Sequence, residues 1–236
     1  NFETIALKGL SKAYYLKTQK VSDESTELND DYAKLTTSLK NLLQKNPDDL
    51  ELNLALLRIT SIANNKSESE SAYKQIINSK NNTIWNHLIK GEAYLILYKL
   101  KDAQNEFKTA LSMSDTEEDL IKLGKSLVFN KSYQMAKDAF NRALVVSSDN
   151  SLAKSFIENI EKLEKIAAEK YSIAKVFYDR EQYLQATQAF KDCLYSNPFM
   201  EQVHYDLAKS YEKQKEYSKA AMHYQAYLDL AKLSRR

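Results

Sequence analysis

Glycine, proline and cysteine are nearly absent from this chain, which carries 3, 2 and 1 of them in 236 residues. Average usage is about 7% glycine and 5% proline. Tight hairpin turns rely on glycine at positive φ, so the deficit argues against an all-β architecture and against a glycine-rich phosphate cradle. A single cysteine, Cys193, leaves no intramolecular disulfide and no thiolate metal cluster. The three histidines are scattered, and no HExxH, CxxC or GxSxG spacing accompanies them. No catalytic residue, metal ligand or cofactor site is therefore expected, and Cys193 reads as a core thiol. No apolar run approaches the roughly 18 residues that cross a bilayer; Tyr94–Tyr98 is about the longest. A dominant sign of charge is missing too. Thirty-four basic and 32 acidic residues leave +2, with a small basic end at Arg235-Arg236. That is too little for a nucleic-acid footprint, and no nucleic-acid partner is expected.

What the chain does contain is a spaced pattern that recurs four times. From Gly91, Tyr94 follows at +3, Leu100 at +9, Ala103 at +12, Phe107 at +16 and Ala110 at +19. From Gly124 the same offsets give Leu127, Tyr133, Ala136, Phe140 and Ala143. From Ala174 they give Phe177, Tyr183, Ala186, Phe190 and Cys193, and from Ala208 Tyr211, Tyr217, Ala220, Tyr224 and Tyr227. Small residues alternating with large ones at these steps describe two helices packed back to back. Units follow one another at 33, 50 and 34 residues, the signature of a helical solenoid with one insertion. Neither helix of a pair buries its apolar stripe alone, so stacking on the next pair is required.

The spacing resembles the tetratricopeptide repeat (TPR) family, most closely at Leu123-Gly124, Leu207-Ala208, Ala186, Phe190 and Pro198. Cys193 and Tyr227 depart from the alanine usual there. The resemblance is strong from about Asn82 to Leu233 and weak before it. It implies an all-α fold, a right-handed superhelical array of antiparallel helix pairs. Residues 1–83 read as degenerate pairs, with Leu35, Leu39 and Leu42 leading into Asn46-Pro47. Residues 84–150 read as two units, 151–166 as a helical insertion, and 167–236 as two units with a C-terminal helix.

The insertion carries Leu152, Phe156, Ile160, Leu163 and Ile166 at helical spacing behind the capping candidates Asp149, Asn150 and Ser151. The simplest reading is one long helix over Ser151–Asp179; the alternative is a kink near Lys165–Glu169 that makes two. Two polar tracts, Val21–Asp31 and Asn64–Ser71, read as loops.

The family resemblance implies that first helices line a concave groove, with groove-facing residues at −3, +1 and +4 from the small position. At +1 these are Glu92, Lys125, Lys175 and Lys209; at −3 and +4 the last two units offer Tyr171, Tyr178 and Tyr205. Lys125, Lys175 and Lys209 are expected as a ladder with steps of roughly 10 Å, the spacing of packed helices. The expected function is a non-catalytic interaction module or scaffold that binds a partner protein or peptide. The lysines would meet its carboxylates and the tyrosines would supply contact area. A self-associating homo-oligomer that uses the apolar C-terminal helix (Tyr224, Tyr227, Leu228, Leu230, Ala231, Leu233) is the alternative, and an RNA-binding repeat is less favoured. The chain starts at Asn1 rather than Met, which suggests an excised domain or a processed, exported product. The bacterial periplasm or cell envelope, with a role in envelope assembly, is the expectation, and the cytoplasm the alternative.

Overall fold

The computed structural model describes residues 2–18 and 29–234, and every regular element among them is an α-helix. Two compact units divide the chain, residues 1–99 and residues 100–236. Unit 1 holds α1 (Phe2–Thr18), α2 (Asn29–Lys45), α3 (Leu50–Ile62), α4 (Lys66–Ile77) and α5 (Ile84–Ile96). Unit 2 holds α6 (Leu100–Ser112), α7 (Glu117–Phe129), α8 (Tyr133–Val146), α9 (Ser151–Asp179), α10 (Tyr183–Ser196), α11 (Glu201–Lys213) and α12 (Tyr217–Ser234). Residues on both sides of position 150 thus share one unit.

Five of the helices, α3, α4, α5, α7 and α9, start with side-chain caps. Asp49, Asn65, Thr83, Thr116 and Asn150 each accept a hydrogen bond from the backbone N–H three residues on. This satisfies a donor that the first helical turn leaves open. Five helices, α3, α5, α7, α9 and α11, stop by a shared device. Asn64, Tyr98, Lys131, Glu181 and Lys215 all sit at φ between 56° and 62°, the left-handed region. The following amide in each case donates back to the carbonyl five residues earlier: Asn65 to Thr60, Lys99 to Tyr94, Ser132 to Leu127, Gln182 to Phe177 and Glu216 to Tyr211, at 2.9–3.0 Å. These are Schellman turns. They recur at the period read from the sequence, and the first belongs to the degenerate stretch where the residue pattern is weakest.

Unit 2 buries the repeated positions as the pattern requires. Phe107, Phe140 and Phe190 are wholly buried, as are Ala103, Ala136, Ala186, Ala110, Ala143 and Cys193. Each phenylalanine contributes about 2–3 kcal/mol of apolar burial. The closest approach is at Gly124, where an added Cβ would stand 2.7 Å from the Phe140 ring. Phe140 in turn stacks on Phe156 of α9 at 5.0 Å between centroids. The insertion is one continuous 29-residue helix, capped by Asn150. α9 meets α8 through Phe156 and Glu164 and α10 through Tyr171 and Tyr178.

α12 packs on α11 and also on α6. The apolar C-terminal helix is therefore largely covered within its own unit: Ala226, Leu230 and Ala231 are buried, while Met222 and Leu228 remain about half exposed.

In unit 1, Leu39, Leu52, Leu57, Ile59 and Ile76 form a closed core. The tract Asn64–Ser71 is not a loop, because α4 starts at Lys66. Asn65 caps it, and Ser69 occupies a small-residue position, donating to Thr60 Oγ1 of α3 at 2.9 Å. The tract's polarity reflects a cap and a tight crossing. Of the other tract, Asn29–Asp31 open α2; Val21–Leu28, like Arg235-Arg236, lie outside the described residues.

Candidate partner-binding site

The Schellman turns give a structural ruler for the groove positions. Lys125, Lys175 and Lys209 each lie six residues before a left-handed turn residue, in α7, α9 and α11. All three belong to unit 2, and so do Tyr171, Tyr178 and Tyr205.

Five of the six residues come together where α9 meets α11. At the centre is Asp206, only 3% exposed. The Tyr171 hydroxyl donates to Asp206 Oδ2 at 2.6 Å, and burial together with this carboxylate pushes the phenol well above its ordinary range. Lys175 Nζ lies 3.8 Å from Asp206 Oδ1 and 4.0 Å from Asp179, so its charge is met inside the fold. Lys209 is held differently. Its ammonium lies 5.2 Å from the Tyr178 ring centroid and 5.6 Å from that of Tyr205. No carboxylate among the described residues forms an ion pair with it. Tyr178 is the main reason its pKa is raised. The aromatic wall continues: Tyr205 packs on Tyr224 and Tyr227, and Tyr224 donates to Glu212 at 2.8 Å.

Lys125 stands apart. It is exposed, 5.9 Å from the Phe156 ring, beside an open hollow of about 430 Å³ lined by Glu117, Glu118, Ile121 and Lys122. Phe156 lies near the start of α9 and Lys175 near its end, about 28 Å further along at 1.5 Å per residue. The even ladder expected of the three lysines is thus broken by the insertion, which puts more than two helix widths between its first two rungs.

Two features escaped the sequence reading. Asp206 carries no spacing signal; only its charge in an otherwise apolar face beside Val203 and Leu207 marks it. His204 and His223 are buried neighbours, 0% and 6% exposed, with Nδ1 to Nδ1 at 3.1 Å. His204 Nε2 donates to the Pro198 carbonyl at 2.9 Å, so its Nδ1 accepts from His223. Burial drives both pKa values down to about 4, and Tyr211 stacks on His223. Cys193 is wholly buried, with its thiol pushed up to about 11, the opposite of an activated nucleophile. Among the described residues no group of three or more His, Cys, Asp or Glu side chains could hold a metal ion, and no helix is long and apolar enough to cross a membrane.

Helix pairs closed by Schellman turns at the TPR period define the class: an all-α, TPR-like helical repeat protein. No family model matches the chain, and no curated protein matches it. Solved structures similar to it include MamA, 16% identical over 76% of this chain and 96% of that one, with a TM-score of 0.29. YrrB, a TPR protein with an unusual peptide-binding site, is 14% identical over 81% and 91%, with a TM-score of 0.29. The human IFIT1 dimer with PPP-AAAA is 15% identical over 85% of this chain and 46% of that one, at 0.35. At these values the likeness concerns the helical fold and reaches no side chain of the site.

Proposed function

We propose that the chain is a non-catalytic interaction module whose α9–α11 face docks an acidic segment of a partner protein. The observation that carries this reading is Lys209, a half-exposed cation set between the Tyr178 and Tyr205 rings without a carboxylate partner among the described residues. A partner carboxylate completes the ion pair, and the tyrosines offer rigid amphipathic area at low entropic cost. Tyr171 and Lys175 act from behind. Their bonds to Asp206 fix the face, so they position it more than they bind. Lys125 belongs to a separate patch and contributes at most a distant contact.

The test is capture from the source lysate by the parent, by Lys209→Glu and by Lys125→Glu, each first shown to be folded by circular dichroism. A partner retained by the parent and by Lys125→Glu but weakened at least tenfold by Lys209→Glu supports the reading. A partner retained equally by all three removes the α9–α11 face from consideration.

A further inference from the structure

α1 is out of place for the first helix of a repeat pair. It packs chiefly on α3 and only marginally on α2, whereas α3–α4, α7–α8 and α11–α12 pack extensively as pairs. The consequence is visible in α3, where nine consecutive residues, Leu52 to Thr60, are buried. A helix with an exposed groove face leaves a polar stripe in water; one buried all round is covered on every side. The covered stripe includes Arg58, which occupies the position of the unit 2 lysines, six residues before its Schellman turn. α1 is what lies across it.

The seat is made mainly of charge. Lys8 reaches Asp49 at 3.2 Å and Glu51 at 2.9 Å, at the start of α3. One turn on, Lys12 is half-buried, and burial pulls its pKa below the ordinary lysine range, an effect that Glu92 opposes and Arg58 reinforces. Between the lysines' positions and the helix crossing, Ser11 is wholly buried, its hydroxyl turned back to the Lys8 carbonyl, which allows a close approach. Apolar anchoring is partial. Leu7, Tyr14, Tyr15 and Leu16 are half-buried, none of them fully, while Phe2, Ile5 and Leu10 are 91%, 67% and 44% exposed. Tyr14 meets Tyr32 edge-on, and the buried Tyr32 hydroxyl has no hydrogen-bond partner among the described residues. Partly exposed ion pairs hold a helix in register with little energy.

We propose that the α3–α5 face of unit 1 is an acceptor for a basic amphipathic helix with lysines one turn apart, and that α1 is its resident, exchangeable occupant. The acidic residues Asp49 and Glu51 select the lysine at position 8, and the small Ser11 sets the depth. A tethered helix competes at an effective concentration in the millimolar range, so a free helix of the same chemistry is excluded until α1 is displaced. This site lies in unit 1 and stands independently of the α9–α11 reading.

The probe is a fluorescein-labelled peptide of residues 2–18, titrated into the full chain and followed by anisotropy. Lys8→Glu/Lys12→Glu in the protein is expected to free the face and tighten peptide binding at least tenfold over the parent. The peptide carrying the same two substitutions is expected not to bind. Equal binding to parent and variant, or none to either, overturns the proposal. Should the variant fail to fold, hydrogen exchange on the parent decides. α1 amides exchanging at least a hundredfold faster than those of α3 support a removable occupant, and exchange in step with α3 makes α1 an integral part of the core.

Discussion

The same place in the repeat is filled in opposite ways in the two units. Six residues before each Schellman turn stand Arg58 and Glu92 in unit 1, and Lys125, Lys175 and Lys209 in unit 2. Arg58 and Glu92 turn toward each other, Nε to Oε1 at 2.8 Å, with both side chains about nine-tenths buried. The lysines stay at least partly in water, one paired to Asp206, one held by tyrosines and one exposed. The repeat thus decides where a side chain emerges, and the next element decides what it does there. Over α3 lies α1, so charge must be neutralised internally; over the α9–α11 face no described helix of unit 2 is laid.

Breaking the unit 1 pair tests this most severely. Glu92→Ala leaves the guanidinium desolvated and uncompensated, at an expected cost of about 3–5 kcal/mol. Arg58→Met/Glu92→Leu removes both charges and is expected within about 1 kcal/mol of the parent. Lys209→Ala, at the matching unit 2 position, should cost less than about 1 kcal/mol. Lys175→Ala should fall between it and Glu92→Ala, because it strips the buried Asp206 carboxylate of its cation but leaves the Tyr171 hydrogen bond. Urea denaturation reads all four, and a Glu92→Ala loss no larger than that of Lys209→Ala would dissolve the contrast between the units.

Unit 2 has a buried polar pair of its own, and acid separates it from unit 1. The folded-state pKa of His204 and of His223 lies near 4, below the ordinary value of 6.5. Between those values the unfolded chain binds more protons than the folded one. Stability from the pair is therefore complete above about pH 6.5 and is lost as pH falls toward 4. The loss on going from pH 7 to 4.5 is on the order of 2–3 kcal/mol for each imidazole, about 5 kcal/mol for the pair. Hydrogen exchange should show α11 and α12 loosening over this window, with the His204→Leu/His223→Leu chain losing that dependence. Unchanged α11–α12 protection at pH 4.5 would mean that the two imidazoles are better hydrated than their burial implies.

Much of this architecture is legible in the sequence because it rests on periodic, local constraints. Gly124 against Phe140, the alanines at +12 and the long helix from Asn150 all follow from spacing and capping. The site is legible only in part. Spacing put Lys209, Tyr178 and Tyr205 on one face, but the central Asp206 and the His204–His223 contact arise between helices and leave no periodic trace. The lysine ladder failed at Lys125 for a physical reason: an insertion preserves the order of positions along the chain while lengthening the helix that separates them. The seat of α1 on α3 leaves no periodic trace either, because an amphipathic stripe says that a helix is covered, not by which neighbour.

The smallest expected effect sharpens the comparison at the turns. All five turn residues adopt the same left-handed conformation, yet they differ in how well they tolerate it. Asn64, in unit 1, is among the few non-glycine types that visit this region readily. Glu181 and Lys215, in unit 2, are exposed and have no such tolerance. Glycine there relieves about 1–2 kcal/mol of backbone crowding, partly offset by the roughly 0.5–1 kcal/mol of extra freedom that it gives the unfolded chain. Glu181→Gly and Lys215→Gly are thus expected to gain about 0.5–1 kcal/mol each, a rise of about 2–4 °C in Tm at most for a chain of this size. Asn64→Gly gains little, because the relief is smaller while the entropic offset is the same. A thermal melt of the three variants compares them directly. Equal gains at all three sites would mean that the turn geometry, and not the residue placed in it, sets the strain.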